Sequence, residues 1–220
     1  ANHAAAAAVG VLLNEPLAEV VEHLGRLREV PGRMQWLPSW DAADVILDAA
    51  GSPERIGAAL RSARALRQPG GRLWCVMSID PEAAPLQLAL AGNHLERFAD
   101  QSIVTCDADS KTHFLQASHA LLDGVEDCAL VRLVADDRRA IQWAIASASP
   151  RDTILWVGAT ERRGAEQERG RIQEIAGWVT SAQASRQEEA NPSRPPLHVV
   201  TAADAAPEHD HPMILPMYKP

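Results

Sequence analysis

The stretch Val45-Ile46-Leu47-Asp48-Ala49-Ala50-Gly51-Ser52-Pro53 decides how this chain is expected to fold. A short apolar run ends in an aspartate, and a proline suited to the first position of a helix follows a few residues later. A buried strand that leads through a turn into a helix is the repeating unit of parallel α/β sheets. We interpret Ser52 as the N-cap of that helix rather than as a nucleophile, because serine favours N-caps and no G-x-S-x-G motif surrounds it.

The same alternation of apolar runs and amphipathic helices continues along the chain. Four further apolar runs, each followed by a helical pattern, lie at residues 73–77, 103–106, 130–134 and 153–157. Short strands that are apolar on both sides and joined by helices predict a doubly wound, mostly parallel sheet of the Rossmann-like α/β class. We expect this α/β domain to cover residues 31–182.

The two ends of the chain differ from this pattern. Residues 1–30 predict a helical hairpin, with an alanine-rich first helix and a second helix that begins at Pro16. Residues 183–220 are polar and rich in proline, which is typical of a linker or a disordered tail, although 197–201 could add one edge strand. Because the chain begins without methionine and inside a helical pattern, we expect it to be part of a longer protein.

Composition excludes several classes of protein. The formal net charge is -8 and the basic residues are scattered, which argues against a nucleic-acid partner. No apolar run reaches the roughly 20 residues that span a bilayer, and no signal peptide is recognisable, so we expect a cytoplasmic protein without a membrane partner. The cysteines lack metal-ligand spacing and are expected to be reduced core residues, with no metal site; they are Cys75, Cys106 and Cys128.

Ligands of doubly wound sheets bind outside the carboxyl ends of the strands, so the residues that follow each strand are the candidates for a site. No glycine-rich phosphate loop, either G-x-G-x-x-G or G-x-x-x-x-G-K-[ST], occurs there. Asp107, Asp109 and Lys111 could form a small polar site, but a solvated loop with local turns explains them equally well. A small-molecule-binding module that uses Asp48, Asp80 and Asp107 is one hypothesis.

Several short sequence motifs, which occur in the same order along the chain, resemble motifs of the C-terminal domain of Mur ligases. Val30-Pro31-Gly32-Arg33-Met34 is similar to the hinge into that domain, and Val45 to Pro53 is similar to its first strand and Asp-Tyr-Ala-His-Thr-Pro turn. Gly71-Arg72-Leu73-Trp74-Cys75-Val76 resembles the next strand. The likeness covers about residues 2–180 and is closest to the enzymes that add diaminopimelate or lysine to UDP-N-acetylmuramoyl-L-alanyl-D-glutamate. It implies that residues 1–30 are the helical end of a central ATPase domain.

The resemblance also implies roles for individual residues. Asn2 corresponds to a contact with the adenine, Arg33 to a nucleotide or phosphate contact at the hinge, and Asp48 to the carboxylate near the ribose. Asp107 and Ser110 fall on the first and last positions of the D-N-P-R motif that selects the amino acid. At the last position this chain has serine in place of the arginine that would hold the incoming carboxylate.

Other motifs of the family are altered in this chain. The tyrosine and histidine of the turn fall on Ala49 and Gly51, and the G-C-G-G-D-R-D loop falls on residues 78–84 without its glycines or arginine. The G-K-G-H-E motif falls on residues 158–162. A missing arginine removes a bidentate carboxylate clamp, so addition of diaminopimelate in the standard manner is not expected.

Two functional hypotheses follow from the resemblance. The first is the acceptor domain of an ATP- and Mg²⁺-dependent carboxylate–amine ligase of peptidoglycan precursor synthesis, which acts on a UDP-muramoyl peptide and an amino acid together with the central domain of its parent chain. Without a phosphate loop, this chain alone is expected to hold no cofactor and to catalyse no ligation. The second is a non-catalytic scaffold or regulatory domain, a pseudoenzyme derived from such a ligase.

Overall fold

The computed structural model describes residues 2–26, 30–39, 41–107, 111–158 and 165–190. The first two helices, α1 (Asn2–Leu12) and α2 (Leu17–Gly25), form the predicted hairpin. They approach closely at Gly10, where an added Cβ would lie 2.8 Å from a methyl group of Val20. Within the described ranges, no helix combines the length and the apolar composition that a membrane crossing needs.

The centre of the molecule is a six-stranded sheet with the strand order β1-β2-β6-β3-β4-β5. The strands are β1 (Gln35–Leu37), β2 (Asp44–Asp48), β3 (Leu73–Ile79), β4 (Gln101–Cys106), β5 (Val131–Leu133) and β6 (Thr153–Gly158). Of the strand pairs within the described residues, β1–β2 is antiparallel and the other four are parallel. The predicted doubly wound, mostly parallel sheet is therefore confirmed. Sequence reasoning missed β1, because three residues without an apolar run give no strand signal.

Helices cover both faces of the sheet. One face packs against α3 (Pro53–Leu66), α4 (Pro85–Phe98) and α5 (Lys111–Leu122), and the other packs against α6 (Asp137–Ser147) and α7 (Ala165–Ala190). Successive residues of a strand point to opposite faces of the sheet and pack into the two cores. Met77 faces the α3–α5 layer, and Val76 faces the α6–α7 layer. Ser52 caps α3 as predicted, with its Oγ accepting from the Arg55 N–H at 3.5 Å.

The β5 edge of the sheet differs from the prediction. β5 is short and pairs only with β4, and Leu133 is 38% exposed, so this strand is not buried on both faces. Cys128 lies in a 3-10 turn just before β5 and is exposed, which makes its assignment to the core wrong. Cys75 and Cys106 are buried and free, as expected for reduced core cysteines.

The last helix runs beyond residue 182, where the sequence predicted the domain to end. α7 continues to Ala190, and the buried Gln183 side chain donates to the Ala43 carbonyl at 3.1 Å. Residues 183–190 therefore belong to a helix, and Gln183 ties that helix to the chain just before β2. Residues 191–220, with the edge strand predicted at 197–201, lie outside the described residues.

Candidate functional site

The hinge segment is fixed against the carboxyl end of β2. The Ala49 N–H donates to the Gly32 carbonyl at 2.8 Å, and the Met34 N–H donates to Asp48 Oδ2 at 2.9 Å. Gly32 has a φ of +68°, and a Cβ there would lie 2.8 Å from the Ile172 side chain of α7. Glycine is required at this position by both its conformation and the close approach of α7.

Arg33 lies at the rim of this turn. Its Nη1 donates to the Ala49 carbonyl at 3.1 Å, and its Nη2 forms an ion pair of 3.2 Å with Glu168 of α7. The Arg33 side chain is nevertheless 43% exposed. It therefore presents a positive charge to solvent while its position is fixed by two contacts.

Asp48 is held under this rim and is only 9% exposed. Burial raises the pKa of Asp48, and this effect outweighs the hydrogen bond from Met34 and the nearby charges of Arg33 and Arg55, which act in the opposite direction. The ionised carboxylate is thus held at a cost in folding free energy. Carboxyl groups kept in such an environment at a strand end are typical of functional sites.

A pocket opens beside this turn, at the carboxyl end of β3 and on the side of α3 and α4. Gly51, Met77, Asp80 and Gln87 are among its lining residues. Asp80 Oδ1 accepts from the Glu82 N–H at 3.0 Å, which shapes the loop after β3. Gly51, in the turn after β2, thus forms part of the pocket wall.

A cluster of polar side chains around Asp137 lies on the opposite side of the sheet from the pocket, under α6 and α7. The Ser78 hydroxyl donates to Asp137 Oδ2 at 3.0 Å, and Arg171 Nη2 lies 2.5 Å from the same oxygen. Arg171 also contacts Glu174 at 2.7 Å and Asp107 at 3.8 Å. Burial raises the pKa of Asp137, which is 3% exposed, although Arg171 and Ser78 counteract this.

Two buried oxygens of this cluster lack a hydrogen bond within the described part of the chain. They are Asp137 Oδ1 and Thr105 Oγ1. The Thr105 hydroxyl lies beside Asp137, without the geometry of a hydrogen bond. Buried oxygens without partners are uncommon in folded proteins and often mark a site for water or a ligand.

The sequence did not identify Arg171 as a site residue. Its side chain is only 10% exposed. The missed signal is that Arg171 lies one helical turn before Ile175, which is fully buried, and so lies on or next to the buried face of α7. A single arginine beside an apolar stripe indicates a buried ion pair.

The remaining predicted site residues are not brought together. Asp80 faces the pocket on the α3–α4 side, whereas Asp107 faces Arg171 on the α7 side, so one crevice with Asp48, Asp80 and Asp107 is not formed. Asn2 lies at the start of α1, and Ser110 falls outside the described residues. In the described ranges, no group of His, Cys, Asp or Glu side chains could hold a metal ion.

The protein is a doubly wound α/β domain, as its sheet topology shows. Its candidate site lies at the carboxyl ends of the strands, around Asp48 on one side of the sheet and around Asp137 on the other. The model of the glutamate ligase domain of Mur ligases matches residues 32–160. The chain belongs to the Mur ligase family.

Similar proteins carry names from the same family. A UDP-N-acetylmuramoyl-L-alanyl-D-glutamate–2,6-diaminopimelate ligase of Acidovorax sp. (strain JS42) is 34% identical over 66% of this chain and 29% of its own length. The protein of that name from Chromobacterium violaceum is 29% identical over 73% of this chain and 31% of its own length. This chain thus spans about 30% of the length of these relatives.

Solved structures share the fold at low sequence identity. A UDP-N-acetylmuramate–alanine ligase from Thermotoga maritima aligns with a TM-score of 0.55 at 20% identity, over 81% of this chain and 36% of its own. A UDP-N-acetylmuramoyl-L-alanyl-D-glutamate–2,6-diaminopimelate ligase aligns with a TM-score of 0.53 at 17% identity, over 80% of this chain and 37% of its own. These structures support the fold assignment alone.

Proposed function

We propose that this chain is the C-terminal, acceptor-side domain of a cytoplasmic ATP- and Mg²⁺-dependent ligase of peptidoglycan precursor synthesis. The ligase would join the carboxylate of a UDP-muramoyl peptide to the amine of an amino acid. Asp48 carries this proposal, because its carboxyl is buried with a raised pKa at a strand end beside the hinge. A buried carboxyl whose pKa is raised is a candidate for a functional role, because its burial costs more than its hydrogen bond from Met34 returns.

Arg33 and Asp48 have complementary tasks in this proposal. The exposed guanidinium of Arg33 can donate to phosphate oxygens of the nucleotide, for which its planar fork is well suited. Asp48 accepts the Met34 N–H and so fixes the hinge next to Arg33, and its carboxylate can also accept from a ribose hydroxyl. Asn2, at the start of α1, would contact the adenine.

The α1–α2 hairpin supports a parent chain with a central domain. The hairpin exposes large apolar side chains: Val9, Val11, Leu12, Leu13, Leu17 and Val21. An apolar surface of this kind needs a cover, which the central domain of the parent would provide. The nucleotide phosphates and Mg²⁺ would be held there, so the chain alone would not catalyse ligation.

The second candidate function is a non-catalytic scaffold or regulatory domain. It is favoured by the polar groups that pair within the domain, since Arg171 contacts Asp137 and Glu174, and Arg33 contacts Glu168. The turn after Asp48 adds no reactive side chain, because Ala49 and Gly51 stand at the tyrosine and histidine positions of the family. A retained sheet whose described arginines Arg33 and Arg171 pair within the domain fits such a role.

The parent chain provides the test. Phosphate release from ATP is measured with a UDP-muramoyl dipeptide and a panel of amino acids, for the wild type and for Arg33→Ala. We expect amine-dependent turnover in the wild type and at least a tenfold lower kcat/KM in Arg33→Ala, since one charge-assisted hydrogen bond contributes about 1.5–3 kcal/mol. Arg138→Ala, at an exposed position of α6, is the control and should retain the wild-type value.

The outcomes separate the two candidates. Absence of turnover with every amino acid, in a folded parent that still binds ATP, would exclude the ligase and support the scaffold. Turnover that Arg33→Ala leaves unchanged would remove Arg33 from the nucleotide site while retaining the ligase.

A further inference from the structure

A stripe of apolar and cationic side chains runs along the exposed surface of α4. Leu86, Leu90 and Arg97 are spaced i, i+4 and i+11, which places them on one face of the helix. Leu86 is 71% exposed and Leu90 is 45% exposed. With a rise of about 1.5 Å per residue, the stripe is roughly 16 Å long. Together with Arg61 from the neighbouring α3, these residues form what we call the α4 face.

Two arginines occupy the cationic end of the α4 face. The guanidinium carbons of Arg61 and Arg97 lie 5.6 and 5.4 Å from the centroid of the Phe98 ring. Neither guanidinium forms an ion pair or a hydrogen bond in the part of the chain that the structure describes. Their neighbour Arg64, in contrast, donates to the Phe98 carbonyl at 2.8 Å and to Asp100 at 3.3 Å. The ring positions Arg61 and Arg97 but leaves their N–H groups available.

The surroundings of these arginines are positive although the whole chain is acidic. α3 and its C-cap carry four arginines and one glutamate, whereas the chain has a net charge of -8. Of the carboxylates on α4 and just after it, Asp100 pairs with Arg64, and Glu96 accepts from the N–H groups of Glu126 and Asp127. His94 stacks on Phe98 at 6.1 Å, and its pKa is lowered by burial and then by the charge of Arg61. A positive potential confined to one end of the α4 face calls for an anionic group on whatever binds there.

We propose that the α4 face binds an amphipathic, acidic helix of another protein. Apolar residues of that helix would cover Leu86 and Leu90, and its carboxylates, about 11 residues away along one face, would pair with Arg61 and Arg97. Because Leu86 and Leu90 lie one helical turn apart, they can pack against apolar side chains of a second helix that lies along α4. This inference is independent of the proposed ligase function.

The charge distribution favours a protein segment over other anionic partners. DNA and anionic bilayers carry dense charge over a wide surface, which the net charge of -8 would repel at low ionic strength. A helix that carries two or three carboxylates at one end would place them next to Arg61 and Arg97 and would bring little other negative charge near the acidic remainder of the chain. The exposed leucines add an apolar contact that a nucleic-acid backbone does not offer.

The test uses the 220-residue chain and a synthetic helical peptide of about 18 residues. The peptide is alanine-based, with leucines at i and i+4 and glutamates at i+11 and i+14. Binding is followed by fluorescence anisotropy of a labelled peptide. We expect saturable binding with a Kd on the order of 100 µM or tighter. The Kd should increase with salt concentration, because salt screens the ion pairs.

Matched variants identify the surface. The double variant Arg61→Gln/Arg97→Gln should bind at least tenfold more weakly, and Leu90→Ser should also weaken binding. Arg132→Gln is the control, because Arg132 is likewise exposed and lies over an aromatic ring, 4.7 Å from the centroid of Trp143, but is far from α4 in the sequence. Should the double variant fail to fold, a peptide with glutamine in place of glutamate makes the same comparison on the wild-type chain.

Three results would overturn the proposal. The first is equal binding by the wild type and the folded arginine double variant, or by the glutamate and glutamine peptides. The second is tighter binding of duplex DNA or of phosphatidylglycerol vesicles than of the peptide. The third is concentration-dependent self-association, measured by sedimentation, that the arginine double variant abolishes, since the occupant would then be a second copy.

Discussion

Asp152 and Asp48 lie at opposite ends of the sheet, and both are largely buried, yet their environments differ. Asp152 precedes β6 and is 3% exposed, and Asp48 ends β2 and is 9% exposed. Asp152 accepts from the N–H groups of Arg72 at 2.8 Å and Ser149 at 3.0 Å, and from Trp74 Nε1 at 3.0 Å. Within the described residues, Asp48 accepts from one backbone group, the Met34 N–H, at 2.9 Å.

These environments shift the two pKa values in opposite directions. Burial would raise the pKa of Asp152, but the Arg72, Ser149 and Trp74 donors together outweigh it and lower the pKa. For Asp48 burial prevails, and the pKa is raised. The carboxylate at the amino end of the sheet therefore stabilises the fold, while the one at the carboxyl end is retained in spite of a cost. This difference is the physical ground for placing the function at the carboxyl ends.

The largest expected effect is at Asp152. Asp152→Ala leaves four N–H donors without their acceptor, two of them on Arg72, and we expect a loss of about 3 kcal/mol in the free energy of unfolding. Urea denaturation measures the loss. Asp123→Ala, at an exposed position, is the control and should change stability by less than about 0.5 kcal/mol. A loss below about 1 kcal/mol for Asp152→Ala would show that the hydrogen bonds of Asp152 do not stabilise the fold as we infer.

Gly158 at the carboxyl end should give the next largest effect. A Cβ there would lie 2.6 Å from Trp156 Cη2 and 3.0 Å from Ser78 Cβ, so Gly158→Ala should cost about 2 kcal/mol through overpacking. Gly177→Ala is the matched control, because nothing lies within 4 Å of a Cβ at that position of α7. It should stabilise the protein by about 0.5–1 kcal/mol, since alanine favours helices. Thermal unfolding of both variants should therefore shift in opposite directions.

Glu168 should have a small effect on stability. The Arg33–Glu168 pair is 43% and 23% exposed, and such pairs contribute less than about 1 kcal/mol. We expect Glu168→Gln to lower the free energy of unfolding by about 0.5 kcal/mol at low salt and by less in 0.5 M NaCl. A loss that salt does not reduce would show that Glu168 acts through packing rather than through charge.

The sequence predicted the sheet well because its strands carry strong signals. The apolar runs that became β2, β3, β4 and β6 are buried and lie between amphipathic helices, so burial and periodicity agree there. β1 and β5 have three residues each and lie at the edges, where burial leaves a weak pattern. The end of α7 was misplaced because its last two turns are polar, and the contact of Gln183 with Ala43 is long-range.

The site was predictable only in part. Asp48 and Asp107 were proposed because they follow predicted strands, and Arg33 was proposed from the resemblance; their roles stay predictions. The pairing of Arg171 with Asp137 joins residues 34 positions apart on two helices, and no local pattern specifies it. The tie between Arg33 and Glu168 was missed for the same reason.

We infer that Asp48 serves a site, whereas Asp152 stabilises the fold. Because the pKa of Asp152 is lowered from 3.8, its stabilisation is present above that pH and is lost as the pH falls through the lowered value. Because the pKa of Asp48 is raised from 3.8, its cost is present at neutral pH and disappears as the pH falls through the raised value towards 3.8.

The free energies of unfolding of the wild type, Asp48→Asn and Asp152→Asn, measured by urea denaturation from pH 7 to pH 3, test this claim directly. At pH 7 we expect Asp152→Asn to lose about 2 kcal/mol and Asp48→Asn to change by less than about 0.5 kcal/mol or to gain stability. On acidification the deficit of Asp152→Asn should shrink, whereas the wild type should gain stability relative to Asp48→Asn. An Asp48→Asn loss as large as that of Asp152→Asn, which also shrinks at low pH, would contradict the account by making Asp48 a structural anchor.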